Sequence, residues 1–239
     1  MRNLWITMVL LASCTGLVDA PKTLAAPDVE YVVRWDPGDG GTLKTAADVI
    51  SALGLEGEPK LTIFVAEYPC LSTPAPSDGT KVILRRRTEY SGKASQSDKV
   101  EWTYKLRNVD PTRKPACPLR CIESCKSGFE DDISFTGGEV PATTHSWSCS
   151  SEKDDAAADL QPPLASCHAT MKRSKVGQIK IEEWILPKGV RRLEVSQKVE
   201  AKDSPVTPEQ FYESCVKKLL AKNIKPLDES KTELASDCK

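Results

Sequence analysis

Every second residue is apolar in Glu101-Trp102-Thr103-Tyr104-Lys105-Leu106-Arg107, and the residues between are polar or charged. Side chains of a strand alternate between its two faces, so this segment has one apolar and one charged face. Other stretches repeat the pattern. In 81–88, Arg85 and Arg87 share a face with Ile83. In 29–35, Glu30, Val32 and Arg34 oppose Tyr31, Val33 and Trp35. In 178–186, Lys180 and Glu182 oppose Ile179 and Ile181. In 191–200, Arg192, Glu194, Ser196, Lys198 and Glu200 oppose Leu193, Val195 and Val199. A single such strand reads as a solvated sheet face over a core. Several of them, basic in mid-chain, permit a second arrangement: a closed barrel with the charged faces inside and the apolar faces covered by helices. Residues 81–114 hold ten Lys/Arg against four Asp/Glu.

Further strands are expected over 61–68 and 169–175, with a turn at Pro187-Lys188-Gly189. An amphipathic helix is expected over 43–53, stopped by Gly54. A second helix starts at Thr207-Pro208-Glu209-Gln210, where an N-cap threonine, a first-turn proline and a glutamine complete a capping box. Its apolar face is Phe211, Cys215, Val216, Leu219 and Leu220. The fold class is therefore α+β, mainly β: a closed or nearly closed antiparallel barrel of about eight strands with flanking helices. Residues 29–239 read as one domain carrying a cysteine-rich insertion at about 108–168.

At 239 residues the chain is long enough for a substantial core. Its 33 basic and 34 acidic residues nearly cancel, which disfavours nucleic acid as a partner. Neither a P-loop nor G-x-G-x-x-G occurs, and two histidines leave little room for a catalytic triad.

Residues 1–13 combine Arg2 with a short apolar run and read as a signal peptide. Leu11-Ala12-Ser13-Cys14 matches the bacterial lipobox, which makes Cys14 the lipidation site and 14–28 a tether; cleavage near Ala20 or Ala26 is the alternative. The reading is an exported, lipid-anchored envelope protein, on an outer membrane facing the periplasm in a two-membrane cell. Of nine cysteines, eight remain beside Cys14, an even number suited to four disulfides in an oxidising compartment. The Cys117, Cys121, Cys125 spacing fits no common zinc site.

A basic lumen is an anion site, because guanidinium forks match phosphate oxygens. The ordered pieces resemble the CYTH family, the triphosphate tunnel metalloenzymes. Those pieces are Glu30 and Arg34 in the opening strand, Arg85 and Arg87 in LRRR, and Lys105 in TYK. They continue with Lys172 or Arg173 in MKR, Glu182, Glu194 in a late strand, and Lys231 in SKTE. The resemblance implies a tunnel binding a triphosphate or polyphosphate-type anion. Arg85, Arg87, Lys105, Arg107, Lys172, Arg173 and Lys231 would hold phosphate. Glu30, Glu182 and Glu194 would hold Mg²⁺ or Mn²⁺, with metal-dependent triphosphatase chemistry. Val32 and Ser196 stand where that pattern has carboxylates. The alternative is therefore a polyanion-binding or structural envelope lipoprotein without turnover.

Overall fold

The computed structural model describes residues 27–39, 41–69, 79–90, 98–121, 123, 125–137, 139–160, 166–200, 205–230 and 234–235. The signal peptide, the Cys14 site, most of the tether and Lys231 lie outside the described residues.

Nine strands close into a barrel. They are β1 (Asp28–Trp35), β2 (Lys60–Pro69), β3 (Lys81–Tyr90), β4 (Lys99–Arg107) and β5 (Lys126–Phe135), then β6 (Ala142–Ser151), β7 (Ser166–Val176), β8 (Ile179–Ile185) and β9 (Arg191–Val199). Their order around the wall is β1-β5-β6-β4-β3-β2-β7-β8-β9. The expected closed barrel is present, with two differences. The cysteine-rich segment supplies β5 and β6, so it is built into the wall. The β1–β5 seam is parallel, with Glu30 opposite Asp132, whereas the other neighbours are antiparallel.

Over β1, β8 and β9 the apolar faces point outward and are covered, whereas Ile63 of β2 and Ile185 at the end of β8 stay exposed. Tyr31, Val33 and Trp35 of β1 pack with Ile181, Leu193 and Val195 against two helices. The first, α1 (Ala46–Leu53), starts at a Thr45–Asp48 capping box and stops at Gly54, whose φ of 67° suits a residue without Cβ. The second runs continuously through α2 (Pro208–Phe211), a π-helical turn (Tyr212–Val216) and α3 (Lys217–Leu220). The Thr207–Gln210 capping box forms as expected. Phe211, Val216 and Leu219 are fully buried here, each worth roughly 1.5–3 kcal/mol of transfer free energy.

Around β3, β4 and β6 the outer face is covered by loops instead. Leu84, Trp102, Trp147 and Cys149 pack on Leu119, Ala156 and Ala157. The Trp102 indole donates to the Asp154 carbonyl at 2.9 Å, and Arg120 pairs with Asp155 and Asp159. The disulfide Cys117–Cys149 ties this cover to β6, and Cys121–Cys125 closes a ring beside it. Cys167 is also disulfide-bonded. The expectation of four disulfides from eight cysteines is corrected at Cys215. It is a free thiol buried under the C-terminal helix, where burial raises its pKa. Packing on β1 consumes this sulfur as a small apolar group.

Candidate functional site

Inside the barrel, Phe64, Ala66, Tyr68, Ile83, Ala169, Met171 and Trp184 fill one part of the lumen with apolar side chains. The rest is a cavity of about 290 Å³. Eight basic side chains line it: Arg34, Arg85, Arg87, Lys105, Arg107, Arg173, Lys180 and Lys198. Six carboxylates accompany them: Glu30, Glu101, Glu130, Asp132, Glu182 and Glu194. The charged strand faces thus converge inward and do not splay over an open surface.

On the wall made by β1, β5 and β9, with the adjoining ends of β4 and β8, charges are paired. Arg34 donates to Glu194 at 2.6 Å, both buried. Asp132 Oδ2 accepts from Arg107 at 2.7 Å, Ser146 at 3.1 Å and Lys105 at 3.2 Å. Glu130 accepts from Lys198 at 3.0 Å and Lys105 at 3.1 Å, and Lys180 stands 3.5 Å from Glu30. Burial pulls the Arg34 pKa down, but Glu194, with Asp132 and Glu30 behind it, outweighs burial and raises it. Burial likewise opposes the charge on Lys198, and Glu130 and Asp28 more than restore it. Burial would raise Glu130, yet Lys105 and Lys198 hold it below the ordinary carboxylate value.

The wall formed by β3 and β7, across β2, is different. Arg87 and Arg173 both lie over the Phe64 ring, 4.8 and 4.9 Å from its centre. Glu101 holds Arg87 at 2.9 Å, and Glu182 holds Arg173 at 2.6 Å. Arg85 has no carboxylate partner among the described residues. It donates to Thr103 Oγ1 at 3.2 Å, and its Nε is buried without a partner. Burial, then the charge of Arg85, lowers the Arg87 pKa to about 10 against the pull of Glu101. The depression reflects burial first and the neighbouring guanidinium charges of Arg85 and Arg173 second.

Of the sequence-derived phosphate set, Arg85, Arg87, Lys105, Arg107 and Arg173 line the cavity. Lys172 is not among the lining residues. It lies opposite Ile63 and Glu183 and borders a separate outer groove with both. Lys231 lies outside the described residues. Among the carboxylates, Glu30, Glu182 and Glu194 all reach the lumen, but only Glu30 joins a cluster. Its oxygen lies within 4.8 Å of those of Glu130 and Asp132. Glu182 accepts from Arg173 and from the Trp184 indole, and Glu194 from Arg34. Sequence reasoning missed Glu130 and Asp132: Phe129, Ile133 and Phe135 share one parity and Glu130, Asp132 and Ser134 the other, but Asp131 interrupts the apolar face.

Three carboxylates at that spacing offer hard oxygen donors of the kind Mg²⁺ prefers. Their oxygens already accept from Lys105, Arg107 and Lys198, with Lys180 beside Glu30. Lys198 also binds Asp28 at 3.1 Å, so four cations meet four carboxylates, and a divalent ion would have to displace ammonium groups. The residues as arranged do not fit a resident divalent ion.

No family model and no curated protein matches the chain. Solved structures similar to it include an adenylate cyclase candidate from Vibrio parahaemolyticus (11% identity, 87% of this chain and 98% of that one, TM-score 0.46). Another is a conserved hypothetical protein from Pyrococcus furiosus (13%, 86% and 99%, TM-score 0.44). A third is HpAC1 from Hippeastrum, an adenylyl cyclase candidate described with a dominant triphosphatase activity (11%, 85% and 92%, TM-score 0.45). Likeness at this level assigns neither ligand nor residue roles.

Proposed function

We propose that the cavity binds a small polyphosphate-type anion, with Arg85, Arg87 and Arg173 as its principal contacts and Thr103 beside them. One observation carries this reading. Among the described residues Arg85 stands in the lumen without a carboxylate, its Nε unpartnered, next to a second guanidinium whose charge is already disfavoured. An anion supplies the missing charge and the missing acceptor together. Glu101 and Glu182 keep Arg87 and Arg173 oriented before the ligand arrives, which lowers the ordering cost of binding. The test is calorimetry with tripolyphosphate in the presence of EDTA. Binding without metal is the expected result. No binding, with or without Mg²⁺, would remove the reading.

A second reading keeps metal-dependent hydrolysis; it requires Lys105 and Lys198 to leave Glu130 and Asp132, so that the oxygens of Glu30, Glu130 and Asp132 can take a divalent ion. Bound Mg²⁺ or Mn²⁺ would neutralise developing phosphate charge. Phosphate release from tripolyphosphate or ATP in Mn²⁺, abolished by Asp132→Asn, would establish turnover. Binding without release leaves a receptor.

We further propose that a lipid on Cys14 anchors the barrel to a membrane of the cell envelope. The lipobox Leu11-Ala12-Ser13-Cys14 supports this. Cys14→Ala should move the protein from the membrane to the soluble fraction of a bacterial host and abolish labelling by a fatty-acid probe.

A further inference from the structure

A second group of reactive side chains lies outside the barrel. The Sγ atoms of Cys117, Cys125 and Cys149 all lie within 4.8 Å of one another, although they belong to two disulfides, Cys117–Cys149 and Cys121–Cys125. The two bonds are therefore neighbours. They differ in access. Cys149 is only 1% exposed on β6, whereas Cys117, Cys121 and Cys125 are half-buried, so only Cys121–Cys125 has both sulfurs within partial reach of solvent. Cys117, Cys121 and Cys125, but not Cys149, line an open cavity of about 520 Å³ together with Lys114, Leu119, Glu123 and Trp147. Trp147 is fully buried, and its Nε1 has no hydrogen-bond partner. A buried N–H without an acceptor costs stability.

We propose that these four cysteines form a thiol–disulfide exchange site whose substrate is an external dithiol, with Cys125 as the shuttle between the two bonds. The thiolate of the dithiol attacks Cys121 Sγ. The Cys121–Cys125 bond breaks, a mixed disulfide forms at Cys121, and Cys125 leaves as a thiolate. That thiolate attacks Cys117 Sγ. The Cys117–Cys149 bond breaks, Cys117–Cys125 forms, and Cys149 leaves as a thiolate, then takes a proton. The second thiol of the dithiol resolves the mixed disulfide, which frees Cys121 and releases the dithiol oxidised. The protein gains two electrons and two protons and keeps one disulfide in place of two. Exchange runs through thiolates and is faster with a stabilised leaving group. This site is independent of the anion reading.

The test treats the oxidised protein with one equivalent of dithiothreitol, followed by acid quench, alkylation and peptide mapping. A Cys117–Cys125 cross-linked peptide should appear, with Cys121 and Cys149 alkylated. In a Cys121→Ser/Cys125→Ser variant, opening of Cys117–Cys149 should slow at least tenfold. Absence of the Cys117–Cys125 peptide in the wild-type protein overturns the proposal. Equal opening rates in a variant whose circular dichroism matches wild type also overturn it. If the variant does not fold, the wild-type map decides alone.

Discussion

The two walls of the lumen use the same residue types to opposite ends. Along β1, β5 and β9 each ammonium or guanidinium meets a carboxylate, and Arg34 and Lys198 hold their protons more tightly than usual. Along β3 and β7 a guanidinium without a carboxylate among the described residues lies beside one whose pKa has fallen to about 10. The first wall spends its charges on the fold. The second leaves charge to be satisfied from outside. A basic residue in a barrel interior therefore says little about ligands until its own partners are counted.

The sharpest way to break this contrast is to remove one charge from each wall. Glu194→Ala leaves Arg34 buried and uncompensated, and breaking a buried pair costs about 3–5 kcal/mol. The expected outcome is that loss in chemical denaturation. Arg85→Ala should do the reverse. Charge-assisted hydrogen bonds are worth about 1.5–3 kcal/mol, so tripolyphosphate affinity should fall roughly 10- to 100-fold in calorimetry. The free protein should lose no stability, because no carboxylate is orphaned. If Arg85→Ala unfolds the barrel, or Glu194→Ala changes only binding, the two walls are not functionally distinct. A smaller effect is expected from salt. Raising ionic strength should weaken tripolyphosphate binding while leaving the denaturation midpoint of the free barrel nearly unchanged, since buried pairs are screened little.

Which parts of this were legible depended on how local the determining contact is. Alternation within β3, β4 and β9 placed Arg85, Arg87, Lys105 and Glu194 on inward faces, because parity is a property of one strand. Closure followed from repetition of that parity. The Arg173 and Lys172 alternative could not be resolved the same way. On β7 the inward face carries Ala169 and Met171, because the lumen is apolar there, while Thr170 and Lys172 alternate with it. An observer applying the charged-in rule would choose the wrong parity. The Glu30–Glu130–Asp132 cluster is a different failure. It depends on a parallel pairing between segments about 100 residues apart, and within the cysteine-rich insertion only Ile133-Ser134-Phe135 reads as a weak strand, which stops short of Glu130 and Asp132. Cys215 misled an even count because a buried thiol and half a disulfide look alike in sequence.

The smallest predicted effect is the one that compares the walls within a single titration. The Lys198 pKa is raised on folding, so its contribution to stability is present below the unfolded value. It is lost as pH rises through the higher folded value. The Arg87 pKa is lowered on folding, so its charge burdens the folded state at neutral pH. That burden lifts as pH climbs through about 10. Stability measured by denaturant from about pH 9 upward should fall less steeply with pH in Lys198→Met than in wild type, and more steeply in Arg87→Met. Tripolyphosphate should reverse the second behaviour alone. A bound anion restores the Arg87 charge, so binding above about pH 10 takes up a proton, visible as a buffer-dependent heat. Equal proton uptake in wild type and Arg87→Met would place the titrating group elsewhere and collapse the distinction between the walls.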